Sequence, residues 1–152
     1  MRSFETRRVV RHAASNMFDL VADIDEYPKF VPLCEAIKVR GRKPLEDGRE
    51  ILVADMTVAY KMIRETFTTK VTMDRTKAEI LVEYLDGPVS ELENRWQFIA
   101  RGEAASEVVF QLTYEFKSRV FAAVMGAIFD RAFKSFAEAF ERRADAVYGV
   151  AS

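Results

Sequence analysis

The strongest constraint on the fold is a series of alternating segments followed by one long amphipathic segment. From residue 36 to residue 116, apolar and polar residues alternate in six stretches, divided by turn residues such as Asp86-Gly87-Pro88. Such alternation is typical of strands with one buried face. A further strand is predicted at residues 4–10. The stretch at residues 49–74 is too long for one strand, so we predict a hairpin bend near residues 59–63.

The C-terminal segment, residues 118–148, carries apolar residues at spacings of three and four, which predicts one long helix. Its apolar stripe consists of Phe121, Met125, Ile128, Phe129, Ala132, Phe133, Phe136 and Phe140. A short helix is predicted near residues 17–24, with Ser15 or Asn16 as its N-cap. Only the C-terminal helix is long enough to cover the apolar face of an antiparallel sheet. We therefore expect an α+β fold in which a curved antiparallel sheet wraps around that helix and leaves a hydrophobic cavity.

Composition limits the classes of function. The 152 residues fit a single domain, residues 1–152. A net charge of −1 gives no overall basic field for nucleic acid, so we expect no DNA partner. One cysteine, Cys34, excludes an internal disulfide and fits a reducing compartment. Because the N-terminus has no apolar signal-peptide core and no apolar run approaches the roughly 20 residues of a spanning helix, we expect a cytoplasmic protein, with peripheral contact at a membrane surface.

The segment DIDEYPKFVPLC, residues 23–34, places two prolines around several apolar side chains. Proline ends helices and disfavours the interior of a sheet, so we predict a connecting segment there. We call its apolar side chains the lip, which consists of Tyr27, Phe30, Val31 and Leu33. One interpretation places the lip at the mouth of a cavity; the other is ordinary packing of a connection against the core.

The chain contains the segments VADIDEYPKFVPLC, MIRETFTTKV, LDGPVSELENRW and FDRAFKSFAEAFERRADAVYG. Together they resemble the START-like helix-grip family of the polyketide cyclase/dehydrase superfamily. The resemblance is closest to the branch that contains coenzyme Q-binding proteins and RatA-type ribosome association toxins. Leu33 stands where many relatives have tryptophan, and Asn94 stands where glycine is common.

The resemblance implies a ligand cavity with the lip at its mouth. The candidates for contact with a ligand are Tyr27, Phe30, Val31, Leu33, Met56, Val58, Glu65, Phe67, Thr69, Trp96, Phe98, Phe110, Leu112, Tyr114, Phe121, Met125 and Phe129. The plain alternative for most of them is core packing. Gly126 is expected to allow close approach of the lip or the ligand, or else simple close packing.

Two of these candidates carry polar groups that need a partner. The indole N–H of Trp96 requires an acceptor when buried, and a quinone carbonyl is one candidate. Glu65 has the parity of the inward residues Phe67 and Val71, where an unpaired carboxylate is costly. In one interpretation Glu65 lies near a ligand headgroup, together with Thr69. In the other, a register break at the hairpin turns Glu65 outward, or an arginine such as Arg64 forms an ion pair with it.

The function that the resemblance implies is non-catalytic binding of ubiquinone or another lipid. Such a carrier would take its ligand from the inner-membrane surface and deliver it to respiratory or quinone-biosynthesis enzymes, with no catalytic residue or catalytic cofactor. His12 has no metal-ligating neighbours in sequence, so we expect no metal site. The alternatives are a RatA-type toxin that binds ribosomal subunits and blocks their association, and a polyketide cyclase-like enzyme. A basic cluster near the N-terminus, Arg2, Arg7, Arg8 and Arg11, either meets anionic groups or is a solvated strand face.

Overall fold

The computed structural model describes residues 2–149, so Met1 and residues 150–152 of the predicted domain lie outside the described residues. The strands are β1 (Arg2–Val10), β2 (Cys34–Pro44), β3 (Glu50–Tyr60), β4 (Ile63–Asp74), β5 (Glu79–Asp86), β6 (Val89–Ala100) and β7 (Ser106–Phe116). The α-helices are α1 (Ala14–Ala22), α2 (Arg119–Lys134) and α3 (Phe136–Tyr148), and a short 3-10 helix spans Ile24–Lys29.

All seven strands form one antiparallel sheet in the order β1-β7-β6-β5-β4-β3-β2. The predicted hairpin bend is confirmed, because β3 and β4 pair without a register shift up to Tyr60 opposite Ile63. Alternate residues such as Leu52, Val71 and Phe110 are buried on the face that the helices cover. The predicted α+β fold, a curved antiparallel sheet with a C-terminal helical cover, is therefore confirmed.

The predicted single C-terminal helix is two helices, separated at Ser135. The Ser135 hydroxyl donates to the carbonyl of Ala132 at 2.8 Å, which is a local bond that competes with regular helix geometry. The predicted start of the helix agrees with the structure, since the Ser118 hydroxyl accepts a bond from the N–H of Phe121 at 3.1 Å. Apolar periodicity continued across Ser135 and so gave no sign of the interruption.

The predicted N-cap of α1 is wrong. The helix is entered at Ala13, whose carbonyl accepts the N–H of Met17 at 3.1 Å, and neither Ser15 nor Asn16 caps it. The Pro-flanked segment contains a 3-10 helix with Pro28 at its fifth position. Short 3-10 turns tolerate proline because the missing N–H removes at most one backbone bond.

Antiparallel pairing places the β3–β4 turn, the β5–β6 turn and the start of α2 at one end of the sheet, which we call the α2 end. The N–H of Lys117 donates to the carbonyl of Pro88 at 3.3 Å and so joins two of these segments. At Gly87, φ is +144°, and a Cβ would lie 2.8 Å from the carbonyl oxygen of Thr66. The β5–β6 turn therefore lies directly on β4. Within residues 2–149, no helix is long and apolar enough to cross a bilayer.

Replacing Gly87 with alanine should destabilise the fold through both its backbone conformation and this contact. Gly48 provides a matched control, because its φ is +89° but a Cβ there would meet nothing within 4 Å. We expect Gly87→Ala to lower the free energy of unfolding by about 1–3 kcal/mol more than Gly48→Ala does, as measured by urea denaturation. Equal losses for the two variants would mean that the approach of Gly87 to Thr66 contributes nothing.

Candidate ligand-binding site

An apolar cavity of about 90 Å³ lies between the sheet and the helices. Six strands (β2 to β7), the 3-10 helix and the two C-terminal helices contribute to its wall. The lining residues are Ile24, Tyr27, Ile37, Ala54, Met56, Phe67, Thr69, Val71, Ile80, Val82, Leu92, Asn94, Trp96, Phe110, Leu112, Phe133, Phe136 and Phe140. The space that the fold was expected to leave is therefore present, although it is small.

The structure brings some of the candidate residues together around this cavity. Those that line it are Tyr27, Met56, Phe67, Thr69, Trp96, Phe110 and Leu112. Those that lie elsewhere are Phe30, Val31, Leu33, Val58, Glu65, Phe98, Tyr114, Phe121, Met125 and Phe129. Asn94 was not among the candidates. Its parity with Leu92 and Trp96 on β6 is the signal that could have identified it.

The lip packs against α3, and of its four residues Tyr27 lines the cavity. The rings of Tyr27 and Phe30 meet Phe140 of α3 edge to face, with centroids 5.2 Å and 4.9 Å apart. The Tyr27 hydroxyl donates to the carbonyl of Val21, and burial raises the pKa of Tyr27. Val31 is buried, whereas Leu33 is half-buried with φ of +65°. These contacts fix the lip against α3, and a role for it at the cavity mouth stays a prediction.

The indole of Trp96 already has an internal partner. Its N–H donates to Oδ1 of Asn94 at 2.8 Å, and the Asn94 amide donates to the carbonyl of Gln111 at 2.9 Å. The expectation that a ligand carbonyl accepts this N–H is therefore corrected, because Asn94 lies two residues away on the same face of β6. The ring of Trp96 also packs edge to face on Phe110 and Phe140, at 4.8 Å and 4.9 Å.

Glu65 lies on the inward face of β4, opposite Val58, in an unbroken register. Arg64 instead binds Glu35, with N···O distances of 2.6 Å. Glu65 is therefore not turned outward by a register break, and it forms no ion pair with Arg64. Across residues 2–149 we find no hydrogen bond or ion pair of its side chain, which is half-buried. It lies outside the cavity wall, toward the α2 end.

A cluster of rings lies between the cavity and the α2 end. Phe116, Phe121 and Phe129 have centroids 5.4–5.7 Å apart, and we call them the aromatic plug. Phe129 also contacts Phe67 and Phe133 of the cavity wall, at 6.2 Å and 5.9 Å. The plug, which includes Phe121 of the first turn of α2, therefore lies between the cavity and the α2 end.

An ion-pair network holds α2 on the sheet beside the plug. Tyr114 donates to Asp130, which also binds Arg2, and burial together with Asp130 raises the pKa of Tyr114. A Cβ on Gly126 would lie 2.9 Å from Nη2 of Arg2. Gly126 thus makes room for Arg2, which corrects the expectation that the lip or a ligand approaches there.

The N-terminal basic cluster, His12 and Cys34 have contacts or burial that indicate structural roles. Besides Arg2, the basic cluster includes Arg8, which pairs with Glu141 at 2.8 Å, so that much of it is a paired strand face. His12 is buried and lies 2.7 Å from Asp145. Burial raises the pKa of the Cys34 thiol to about 11, so it is protonated at neutral pH. The described residues contain no group of three or more potential metal-ligating side chains.

The bond between Trp96 and Asn94 should be detectable as an energetic coupling. We expect Asn94→Leu to lower the free energy of unfolding by about 1–3 kcal/mol, because it leaves a buried N–H without an acceptor. In that background, Trp96→Phe should cost less than in the wild type, since the orphaned donor is removed. Urea denaturation of the two single variants and the double variant measures this coupling, and additive losses would contradict it.

Comparison with known proteins agrees with this architecture. The family model described as "Polyketide cyclase / dehydrase and lipid transport" matches residues 10–141. A "Ribosome association toxin RatA" from Pseudomonas aeruginosa is 34% identical over 139 residues, covering 91% of this chain and 92% of the relative. The "Coenzyme Q-binding protein COQ10 homolog B, mitochondrial" from Xenopus laevis is 25% identical over 150 residues, covering 96% of this chain and 59% of the relative.

Solved structures show the same fold. A START superfamily protein from Mycobacterium smegmatis superimposes with a TM-score of 0.78 at 19% identity, covering 95% of this chain and 98% of that chain. The match of the family model over most of the chain agrees with the cavity between a seven-stranded antiparallel sheet and C-terminal helices. The chain belongs to the polyketide cyclase/dehydrase and lipid transport family, with the START-like helix-grip fold.

Proposed function

We propose that this protein is a non-catalytic carrier that holds an isoprenoid quinone, most simply ubiquinone, between its sheet and its C-terminal helices. The observation that carries this proposal is the cavity, whose wall consists almost entirely of apolar side chains. The similarity to a coenzyme Q-binding protein supports the same ligand class. Among the described residues that line the cavity there is no histidine or carboxylate, so an enzyme of the cyclase type has less support.

The free energy of moving the ligand from a bilayer into the protein limits which interactions can retain it. Burying an isoprenoid tail gains about 25 cal/mol per Å² of apolar area, but a bilayer offers the tail nearly the same gain. The net preference for the protein must therefore come from shape and from hydrogen bonds to the headgroup. Glu65 and the hydroxyl of Tyr114 lie outside the wall, which leaves Thr69 and Asn94 as the groups of interest.

A quinone ring requires the cavity to widen. A cavity of about 150 Å³ is what a benzene ring occupies in an engineered protein, whereas this one measures about 90 Å³. The aromatic plug lies between the cavity and the α2 end, and the helix is interrupted at Ser135. In this proposal α2 and the plug move outward to admit the ligand, while α3 keeps its contact with the lip.

The carrier would meet its ligand at the cytoplasmic face of the inner membrane. Apolar side chains at the α2 end are strongly exposed, including Met62 at 99% and Val120 at 75%. Val124 and Leu85 add to the same end. Exposed apolar groups near the plug support transient contact with a bilayer there. Delivery to respiratory or quinone-biosynthesis enzymes completes the proposed role.

The test is organic extraction of protein purified from its own host, followed by mass spectrometry. We expect about one isoprenoid quinone per wild-type chain. Ala54 lies on the cavity wall, and its neighbour Val53 lies on the outer face of the same strand. Ala54→Phe should reduce the retained quinone at least tenfold because it fills the cavity, and Val53→Phe should retain the wild-type amount.

Folding must be checked in both variants by thermal melting. If Ala54→Phe does not fold, Val82→Phe fills the cavity from β5. A wild-type protein that carries no quinone and binds none when it is added would contradict the proposal. So would folded cavity-filling variants that retain the wild-type amount.

A second candidate function has one observation in its favour. The RatA relative is 34% identical to this chain, against 25% for the coenzyme Q-binding relative. By this alternative, the protein binds a ribosomal subunit and opposes association of the subunits. The net charge of −1 gives no general attraction to RNA, so a local surface would have to supply it.

Sedimentation separates the two functions. If the chain acts as the RatA name implies, it should sediment with one ribosomal subunit and reduce the fraction of assembled ribosomes. That binding should weaken by roughly tenfold or more between 50 mM and 200 mM salt if several phosphates are contacted. Ala54→Phe should leave it unchanged, because the cavity takes no part. A carrier that has no ribosomal role should stay at the top of the gradient at both salt concentrations.

A further inference from the structure

The amide of Asn94 has a fixed orientation in the cavity wall. An indole N–H can only donate, so the atom of Asn94 that lies 2.8 Å from it must be the oxygen. The carbonyl of Gln111 can only accept, so the atom at 2.9 Å from it must be the amide nitrogen. Two independent partners thus agree, and the side chain cannot be turned over without losing both bonds.

The polar groups of the wall are mostly committed as donors to the protein. Trp96 donates to Asn94, Tyr27 donates to Val21, and one N–H of Asn94 donates to Gln111. The second N–H of the Asn94 amide is not used in either bond. Across residues 2–149 we find no hydrogen bond of the Thr69 hydroxyl, which also lines the cavity. Two donors therefore remain for a ligand.

These two donors lie on different parts of the curved wall. Thr69 pairs with Tyr84 of β5, whereas Asn94 of β6 pairs with Val82, two residues along that strand. Strand spacing and rise put the Cα atoms of Thr69 and Asn94 about 12 Å apart on a flat sheet. Curvature around the cavity brings their side-chain atoms closer. The apolar side chain of Val82 lies between them on the wall.

We propose that Thr69 and Asn94 donate to two oxygens on opposite sides of one ring, so that the cavity takes the oxidised quinone in preference to the hydroquinone. This rests on the proposed carrier function. The ring carbonyls of an oxidised quinone are acceptors, and each meets one of the two remaining donors. The isoprenoid tail then lies along the apolar remainder of the wall.

The hydroquinone fits this arrangement less well because it carries two O–H donors of its own. The nearest carbonyl acceptors each already receive one bond, Oδ1 of Asn94 from Trp96 and the Gln111 carbonyl from Asn94. Thr69 can accept from one O–H, so the other must share an oxygen that already accepts a bond or lie unpaired among apolar side chains. An unsatisfied buried donor weakens binding by roughly tenfold.

The test is calorimetric titration of the wild-type protein with a short-chain ubiquinone, oxidised or reduced under anaerobic conditions. We expect the oxidised form to bind at least tenfold more tightly. Thr69→Val removes the hydroxyl at nearly constant shape and should weaken binding of the oxidised form about fivefold. It should leave unchanged the binding of a prenylated benzene that has no carbonyl groups.

Thr72→Val is the matched control, because Thr72 lies on the outer face of the same strand. Equal affinity for the two redox forms would overturn the inference while the carrier function stands. If Thr69→Val weakened the binding of the quinone and of the prenylated benzene equally, the inference would also be overturned, because the hydroxyl would then act through packing. Absence of binding by both redox forms would instead remove the carrier function on which the inference rests.

Discussion

The whole structure depends on covering one apolar face of a seven-stranded sheet with helices that cannot fill it. Residues such as Phe133, Phe136 and Phe140 reach down from α2 and α3 onto the sheet. A curved sheet and a straight helix do not match in shape, so some space remains at the middle of the face. The cavity is therefore a consequence of the architecture, and the side chains around it decide its size and chemistry.

Within this apolar interior, several polar side chains bond to one another or to the backbone. Asn94 joins Trp96 to the backbone of β7, and Asp130 joins Tyr114 to Arg2. Both sets of bonds also position larger parts of the structure. The bonds of Asn94 orient the indole of Trp96 in the cavity wall, and the bonds of Asp130 hold α2 on the sheet. The cost of an unpaired buried polar group explains why these side chains are linked. What remains unlinked in the wall is then available to a ligand.

Much of the fold follows from periodicity in the sequence. Alternation identified the strands and the bend between β3 and β4, and the spacing of phenylalanines identified the helical cover that starts after Ser118. The interruption at Ser135 was missed because a serine at that point does not disturb the apolar stripe. Inward strand parity pointed to Thr69 and Trp96, which line the cavity, whereas the helical stripe pointed to Phe121 and Phe129, which pack beside the cavity in the plug.

By itself, the sequence determined the class of fold and the face of each strand, because those depend on local alternation and on burial of apolar surface. Only the tertiary structure decided which polar atoms meet. Asn94 accepts from Trp96, Gly126 makes room for Arg2, and Glu65 forms no ion pair with any residue in the range 2–149. Such pairings depend on distances between strands and helices that are far apart in the chain, and local sequence patterns do not specify those distances.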